Sequence, residues 1–292
     1  MSTCRAIVLG GGGARGALQV GALRALLEAG LIPDLLVGTS IGAVNAVGLA
    51  FWGPDRSGID ALERAYQEIA ESKLMDQNLG RVALRALLGR PNTEASRRVA
   101  EMLISKGITP EFRFDQISGV RLAVVGADLE TGQPVIYGQD PSQSILDGLL
   151  ASIAVPPWFA PIEKDGRIIV DGGIVSNVPI EAAVTLGATE IIALDLDDPR
   201  STPGKHHPID QYLDKLIFTV SQRYKRLETA LAEAQGVRVR IIELRGPAAA
   251  PVWDFRNYQE LIQTGYEIGC REISAWDGYR PILEPQRPLS NG

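Results

Sequence analysis

A serine hydroxyl becomes a useful nucleophile when a turn holds it out of the backbone and a neighbouring base takes its proton. Residues 38–42, Gly38-Thr39-Ser40-Ile41-Gly42, meet the first requirement: they fit Gly-x-Ser-x-Gly and fall between a short apolar run and a stretch of small residues with helical spacing. In a nucleophile elbow, glycines two residues either side of the serine let strand and helix approach with no Cβ between them. The same five residues also make an ordinary glycine-rich strand-to-helix turn, so the pattern needs partners to mean more.

One candidate partner is the run Gly10-Gly11-Gly12-Gly13-Ala14-Arg15-Gly16, which contains Gly-x-Gly-x-x-Gly at positions 11–16. A dinucleotide site wants an acidic residue at the end of the following strand to hold a ribose, and this chain has Gly38-Thr39-Ser40 there. A phosphate-binding P-loop wants Gly-Lys-Ser/Thr, which is absent. What remains is an oxyanion hole, with backbone N–H groups at a glycine-rich helix start aimed at a tetrahedral oxygen. Two adjacent strand ends would bring Gly12 and Gly13 close to Ser40. Arg15 suits holding that loop, meeting a phosphate, or forming a plain surface ion pair.

The base has two kinds of candidate. The chain has two histidines, His206 and His207, adjacent in a loop rich in Pro and Ser/Thr. The order Ser40, Asp171 or Asp195, then histidine formally matches a hydrolase triad, but that fold puts several strands before its elbow and here two precede Ser40. These histidines read better as a solvated pair. Asp171 closes the apolar run at residues 167–170 and is followed by Gly172 and Gly173, which permit close backbone approach. A carboxylate is too acidic to take a serine proton unless burial raises its pKa, so this dyad demands a dry site. Asp-Gly is also a common turn.

The elements that must position these groups read as alternating strands and helices. Strand patterns at residues 5–10 and 35–37 are each followed by a glycine-led helix, giving the β-α-β-α order of a parallel sheet covered by helices. Three amphipathic helical stretches then appear near residues 59–70, 79–88 and 93–105, the pattern of an inserted helical cap. Hairpins are predicted at residues 130–132 and 165–166, a helix from Asn177 and Pro179 to Gly187, and a strand at 190–195. A polar loop at 197–208, a long helix, a strand at 237–244 and a helix at 257–275 complete the pattern. The expected organisation is one domain, residues 1–292, with its core at about 5–53 and 116–276, the cap at about 54–115, and a flexible tail at 277–292.

Composition narrows the function classes. The 292 residues are 45% hydrophobic and 22% charged, enough for a full core. A net charge of -6 argues against nucleic acid as a partner. Cys4 and Cys270 sit at opposite ends with no metal-ligand spacing, so neither disulfide nor metal is expected. No signal peptide is visible and no apolar run is long enough to span a bilayer, so a cytoplasmic protein with at most peripheral membrane contact is expected. The cap is the candidate for that contact, carrying Arg81, Arg85, Arg90, Arg97, Arg98 and Lys106 against Glu94 and Glu101; an ordinary solvated helix face is the plainer account. Trp52, Trp158 and Phe159 are candidates for an acyl pocket or for simple core.

Taken together, the blocks at residues 10–16 and 38–42, Ala151-Ser152-Ile153-Ala154-Val155-Pro156 with Phe159 and Pro161, and Asp171-Gly172-Gly173 resemble the patatin-like phospholipases, with Asn177-Val178-Pro179 and Asp254-Phe255 also similar. Joint agreement across residues 5–275 is far more specific than any single motif. The resemblance implies a three-layer α/β/α sandwich around a mostly parallel sheet, a Ser40–Asp171 dyad, and an oxyanion hole at Gly11, Gly12, Gly13, Arg15 and Gly16. Gly38 and Gly42 would form the elbow, and Gly172 and Gly173 the turn after the base. It further implies hydrolysis of lipid or phospholipid acyl esters through an acyl-enzyme, with no cofactor and no metal. A lipid-binding protein with an idle site and a transacylase are the alternatives within this reading, and oligomeric state is not indicated. Pro156-Pro157-Trp158 stands where a glycine is more usual in the family, which puts only the local loop shape in question.

Overall fold

The computed structural model describes residues 3–72, 92–200, 208–247 and 252–276. The helix expected at 79–88, the residues Arg81, Arg85, Arg90, His206 and His207, and the tail at 277–292 lie outside the described residues.

Apolar runs buried on both faces make the centre of the sheet, as parallel strands covered by helices must. β1 (Arg5–Leu9) leads through a short 3-10 turn (Gly13–Arg15) into α1 (Gly16–Glu28), and β2 (Leu35–Thr39) leads into α2 (Ile41–Trp52). Next come α3 (Arg56–Glu71), whose first turn is capped by the Asp55 carboxylate, and α4 (Thr93–Ser105), capped by the Asn92 side chain. The chain continues through β3 (Arg121–Asp128), β4 (Pro134–Tyr137), α5 (Ile145–Ser152), β5 (Ile162–Lys164), β6 (Arg167–Asp171) and α6 (Ile180–Thr185). It ends with β7 (Glu190–Asp195), α7 (Pro208–Ala234), β8 (Arg238–Glu243) and α8 (Tyr258–Ser274).

The hydrogen-bonded path runs β5-β6-β3-β2-β1-β7-β8, with β4 also on β3. Strands β3, β2, β1, β7 and β8 are mutually parallel, and β4 and β6 run antiparallel to β3. One detail of register places the site. Gly126 pairs with Val135 of β4 and Asp171 of β6, so those two strands lie on opposite edges of β3. Val125 pairs with Ile136 of β4 and Thr39 of β2, so β2 shares the edge of β6. β2 and β6 therefore meet tip to tip along one edge of β3, and the residues at their tips are Thr39-Ser40 and Asp171.

Two apolar layers sandwich the sheet. Ile7, Leu9, Leu36 and Val124 face α1, α2, α3, α5 and α8, while Ala6, Val8, Val37 and Ala193 face α6 and α7. The expected three-layer α/β/α sandwich is thus observed. α3 places Ile59, Leu62 and Tyr66 in the same core cluster as α1 and α2. α6 begins at Ile180 rather than at Asn177, because Asn177 is engaged elsewhere.

Candidate active site

Ser40 occupies φ 56°, ψ −126°, a conformation that L-residues rarely adopt. The strain has a visible cause. A Cβ on Gly38 would stand 2.5 Å from the Gly42 carbonyl carbon and 2.6 Å from the Ala43 Cα, and one on Gly42 would stand 2.6 Å from the Leu9 carbonyl carbon. Strand β2, helix α2 and the end of β1 close to distances only glycine permits, and the turn between them forces the serine outward. Its backbone is fixed in turn by Ser152: the Ser40 N–H donates to Ser152 Oγ at 3.0 Å, and that hydroxyl donates to the Val125 carbonyl at 2.7 Å.

Asp171 arrives from the other strand tip. Its N–H donates to the Ala154 carbonyl at 2.9 Å, and its Oδ1 accepts from the Gly173 N–H at 2.8 Å. Gly172 lets the chain turn against the β3 backbone, since a Cβ there would stand 2.9 Å from the Val125 carbonyl carbon. Oδ2 is buried and accepts no well-aligned hydrogen bond, although the Ser40 hydroxyl is near enough to favour the charged form. Burial dominates: it pushes the carboxyl up to about 6, against the opposing pull of Ser40 and the Gly173 amide. A carboxylate in that range is a usable proton acceptor near neutral pH.

The glycine loop lies beside Ser40, since a Cβ on Gly11 would stand 3.1 Å from the Ser40 Cβ. Its amides are not equally available. Gly10 donates to the Leu194 carbonyl, Gly11 to the Asn177 carbonyl, Ala14 to the Val252 carbonyl and Arg15 to the Gly12 carbonyl, and Gly16 bonds within its own turn. Gly12 and Gly13 donate to no described group. Gly13 has φ 58°, and a Cβ there would stand 2.9 Å from the Val252 carbonyl carbon, so the position is kept for glycine. The Arg15 side chain donates to the Gly12 carbonyl at 3.3 Å, which ties the loop's two halves together.

Polar side chains hold this loop from behind: buried Gln19 and Asn45, which motif reasoning passed over, and half-buried Asn177. Gln19 donates to the carbonyls of Gly10 and Leu194, at 2.8 and 3.1 Å. Asn45 donates to Gln19 and to the Gly16 carbonyl, and accepts from the Tyr66 hydroxyl. Asn177 reaches the Gly11 carbonyl at 3.4 Å and Asp197 at 3.0 Å. Gln19 and Asn45 each sit on an otherwise apolar helix, and a polar residue at such a position is the signal that finds it. The aromatic candidates divide. Trp52 and Phe159 pack against the main core, while Trp158, after the cis Pro156–Pro157 bond, stacks on Trp253 with centroids 4.4 Å apart. Asp195, the other candidate acid, is paired with buried Lys225. No group of metal-ligating side chains is found among the described residues.

A family model described as patatin-like phospholipase matches residues 7–184. Patatin-like phospholipase domain-containing protein 7 of Rattus norvegicus is 32% identical over 305 residues, covering 93% of this chain and 21% of that protein. The corresponding protein 6 of Homo sapiens is 31% identical, covering 93% and 20%. An NTE family protein of Mycobacterium bovis is 30% identical, covering 74% and 56%. The chain thus spans about a fifth of the length of the first two of these relatives. Among solved structures, human GIVD cytosolic phospholipase A2 superposes with a TM-score of 0.53 at 12% identity, covering 92% of this chain and 58% of that one. A second structure of that enzyme, in complex with methyl gamma-linolenyl fluorophosphonate, gives 0.51 at 14% identity, covering 93% and 58%.

Proposed function

We propose that this chain, which belongs to the patatin-like phospholipase family, is a lipid acyl hydrolase that uses Ser40 as nucleophile and Asp171 as its base. The observation that carries the reading is the meeting of a strained, outward-held serine with a buried carboxylate raised to about 6. In the first half-reaction Asp171 takes the Ser40 proton as Oγ bonds to the ester carbonyl carbon. Negative charge on the carbonyl oxygen is received by the N–H groups of Gly12 and Gly13, which are uncommitted, while the amides of Gly11, Arg15 and Gly16 are spent on holding the loop. Collapse breaks the bond to the leaving alkoxide, which takes the proton from Asp171 and leaves an acyl-Ser40. Water then gives a proton to Asp171 and its hydroxyl to the acyl carbon; the free fatty acid departs and the proton returns to Ser40.

Turnover of a short nitrophenyl ester and of a phospholipid tests this. Ser40→Ala is expected to lower both to background, while thermal unfolding stays near that of the parent protein. Retained ester hydrolysis in that variant would rule the reading out.

A further inference from the structure

The glycine loop rests on the end of β7, and that end carries two acids that the acyl transfer leaves unused. A Cβ on Gly12 would stand 2.8 Å from the Leu196 Cβ, so the loop lies directly on Leu196, with Asp195 before it and Asp197 after it. Asp195 is buried, and one of its oxygens is paired with buried Lys225. The other accepts the Asp197 N–H at 2.9 Å, which turns the chain just past the strand. Asp197 is half-buried and both of its oxygens are engaged. Oδ2 accepts from Ser221 Oγ at 2.6 Å and from Gln222 Nε2 at 3.1 Å, both on α7, while Oδ1 accepts from Asn177 Nδ2 at 3.0 Å. Two donors on one helix thus aim this carboxylate at one amide.

That amide is placed where its orientation matters. The Asn177 carbonyl accepts the Gly11 N–H at 3.0 Å, and Nδ2 reaches the Gly11 carbonyl at 3.4 Å, so one residue grips both backbone groups of Gly11. Asn177 Oδ1 lies against two glycines: a Cβ on Gly11 would stand 2.5 Å from it, and one on Gly173 would stand 3.0 Å from it. Gly11 adjoins Ser40, and the Gly173 N–H donates to Asp171 Oδ1. The side chain is therefore wedged between the oxyanion loop and the turn that holds the base. An amide has two ends of similar size and opposite polarity. A carboxylate only accepts, so Asp197 keeps the NH2 end on its own side and the oxygen toward the glycines. Without an acceptor at position 197 the amide is free to turn over, and the loop that it grips is free to shift with it.

We propose that Asp197 is a positioning residue for hydrolysis: through Asn177 it fixes the glycine loop so that the Gly12 and Gly13 N–H groups meet the developing oxyanion, with Ser221 and Gln222 holding its carboxylate in place. The proposal rests on the lipid-hydrolase reading and adds to it a chain of hydrogen bonds that runs from α7 to the oxyanion loop.

The test measures kcat and KM for a soluble short-chain nitrophenyl ester, with rates expressed per folded molecule and Ser40→Ala run alongside. Asp197→Ala and Asn177→Ala are each expected to lower kcat by about ten- to a hundredfold with little change in KM, because a displaced oxyanion loop weakens the transition state and not the ground state. Because Asp197 acts through Asn177, the variant carrying both substitutions is expected to lose no more than Asn177→Ala alone. Asp197→Asn keeps an acceptor for Asn177, and the Ser221 hydroxyl and Gln222 amide can turn to meet its new NH2 group. It is expected to restore most of the rate that Asp197→Ala loses. Should Asp197→Ala fail to fold, Ser221→Ala takes its place, with kcat expected to fall by about three- to tenfold. Parent kcat in Asp197→Ala, or in Ser221→Ala where it stands in, would overturn the proposal. So would additive losses in the double variant, or a loss in Asp197→Asn as large as that in Asp197→Ala. Hydrolysis retained by Ser40→Ala would instead strike the functional reading itself, whatever the Asp197 variants do.

Discussion

At the scale of single residues, Asp171 carries opposite consequences for stability and for chemistry. Its folded pKa of about 6 lies above the ordinary 3.8, so between those values the folded protein holds a proton that the unfolded chain has released. Stability from this group is therefore greatest at the low end of that window and falls as pH rises through about 6, by about 3 kcal/mol in all. The base works in the opposite sense, since it must be ionised to accept the Ser40 proton. Asp171→Asn is expected to abolish turnover and yet to unfold at higher urea than the parent at pH 8. That gap should close as pH falls toward 4, where the parent's carboxyl is protonated. A variant less stable than the parent at pH 8, as judged by urea unfolding, would mean that the buried charge is better solvated than its surroundings indicate.

At the scale of elements, the site is a meeting of two strand tips fixed by a third segment. Residues 151–156 hold both: Ser152 bridges Val125 to the Ser40 amide, and the Ala154 carbonyl accepts from Asp171. Ser152 is thus a positioning residue. Ser152→Ala leaves an amide and a carbonyl without that partner at a cost of about 1–3 kcal/mol, and is expected to lower kcat by about ten- to a hundredfold with little change in KM. A purely structural role would lower the unfolding midpoint and leave kcat per folded molecule alone. The elbow, the glycine loop and the Asp-Gly-Gly turn were legible in the sequence because close backbone contact admits few residues but glycine. Gln19, Asn45 and Ser152 were not recognised as supports, because their work depends on which carbonyl each faces, and that is set by distant pairings. α7 was legible as a helix but not in its orientation: buried Asp195 and half-buried Asp197 draw Ser221, Gln222 and Lys225 inward, and Leu216, Ile217, Val220, Tyr224, Leu227 and Leu231 are left exposed.

At the scale of the whole molecule, alternation of apolar strands with glycine-led helices was enough to read a parallel sheet covered on both faces, and that is the observed architecture. What the alternation did not contain is the antiparallel return of β6 along the edge that β2 vacates. That return is a long-range register, fixed by the pairing of Asp171 with Gly126, and it turns two motifs 131 residues apart into neighbours. No helix among the described residues is long and apolar enough to cross a membrane. The claim that joins these scales is that Asp171 activates Ser40 without a histidine. Labelling by a fluorophosphonate probe, followed by mapping of the modified residue and by rates across pH, tests it most directly. Labelling should fall on Ser40, rise with pH through an apparent pKa of about 6, and be lost in Asp171→Asn. Labelling of Ser40 at an unchanged rate in Asp171→Asn would contradict the account.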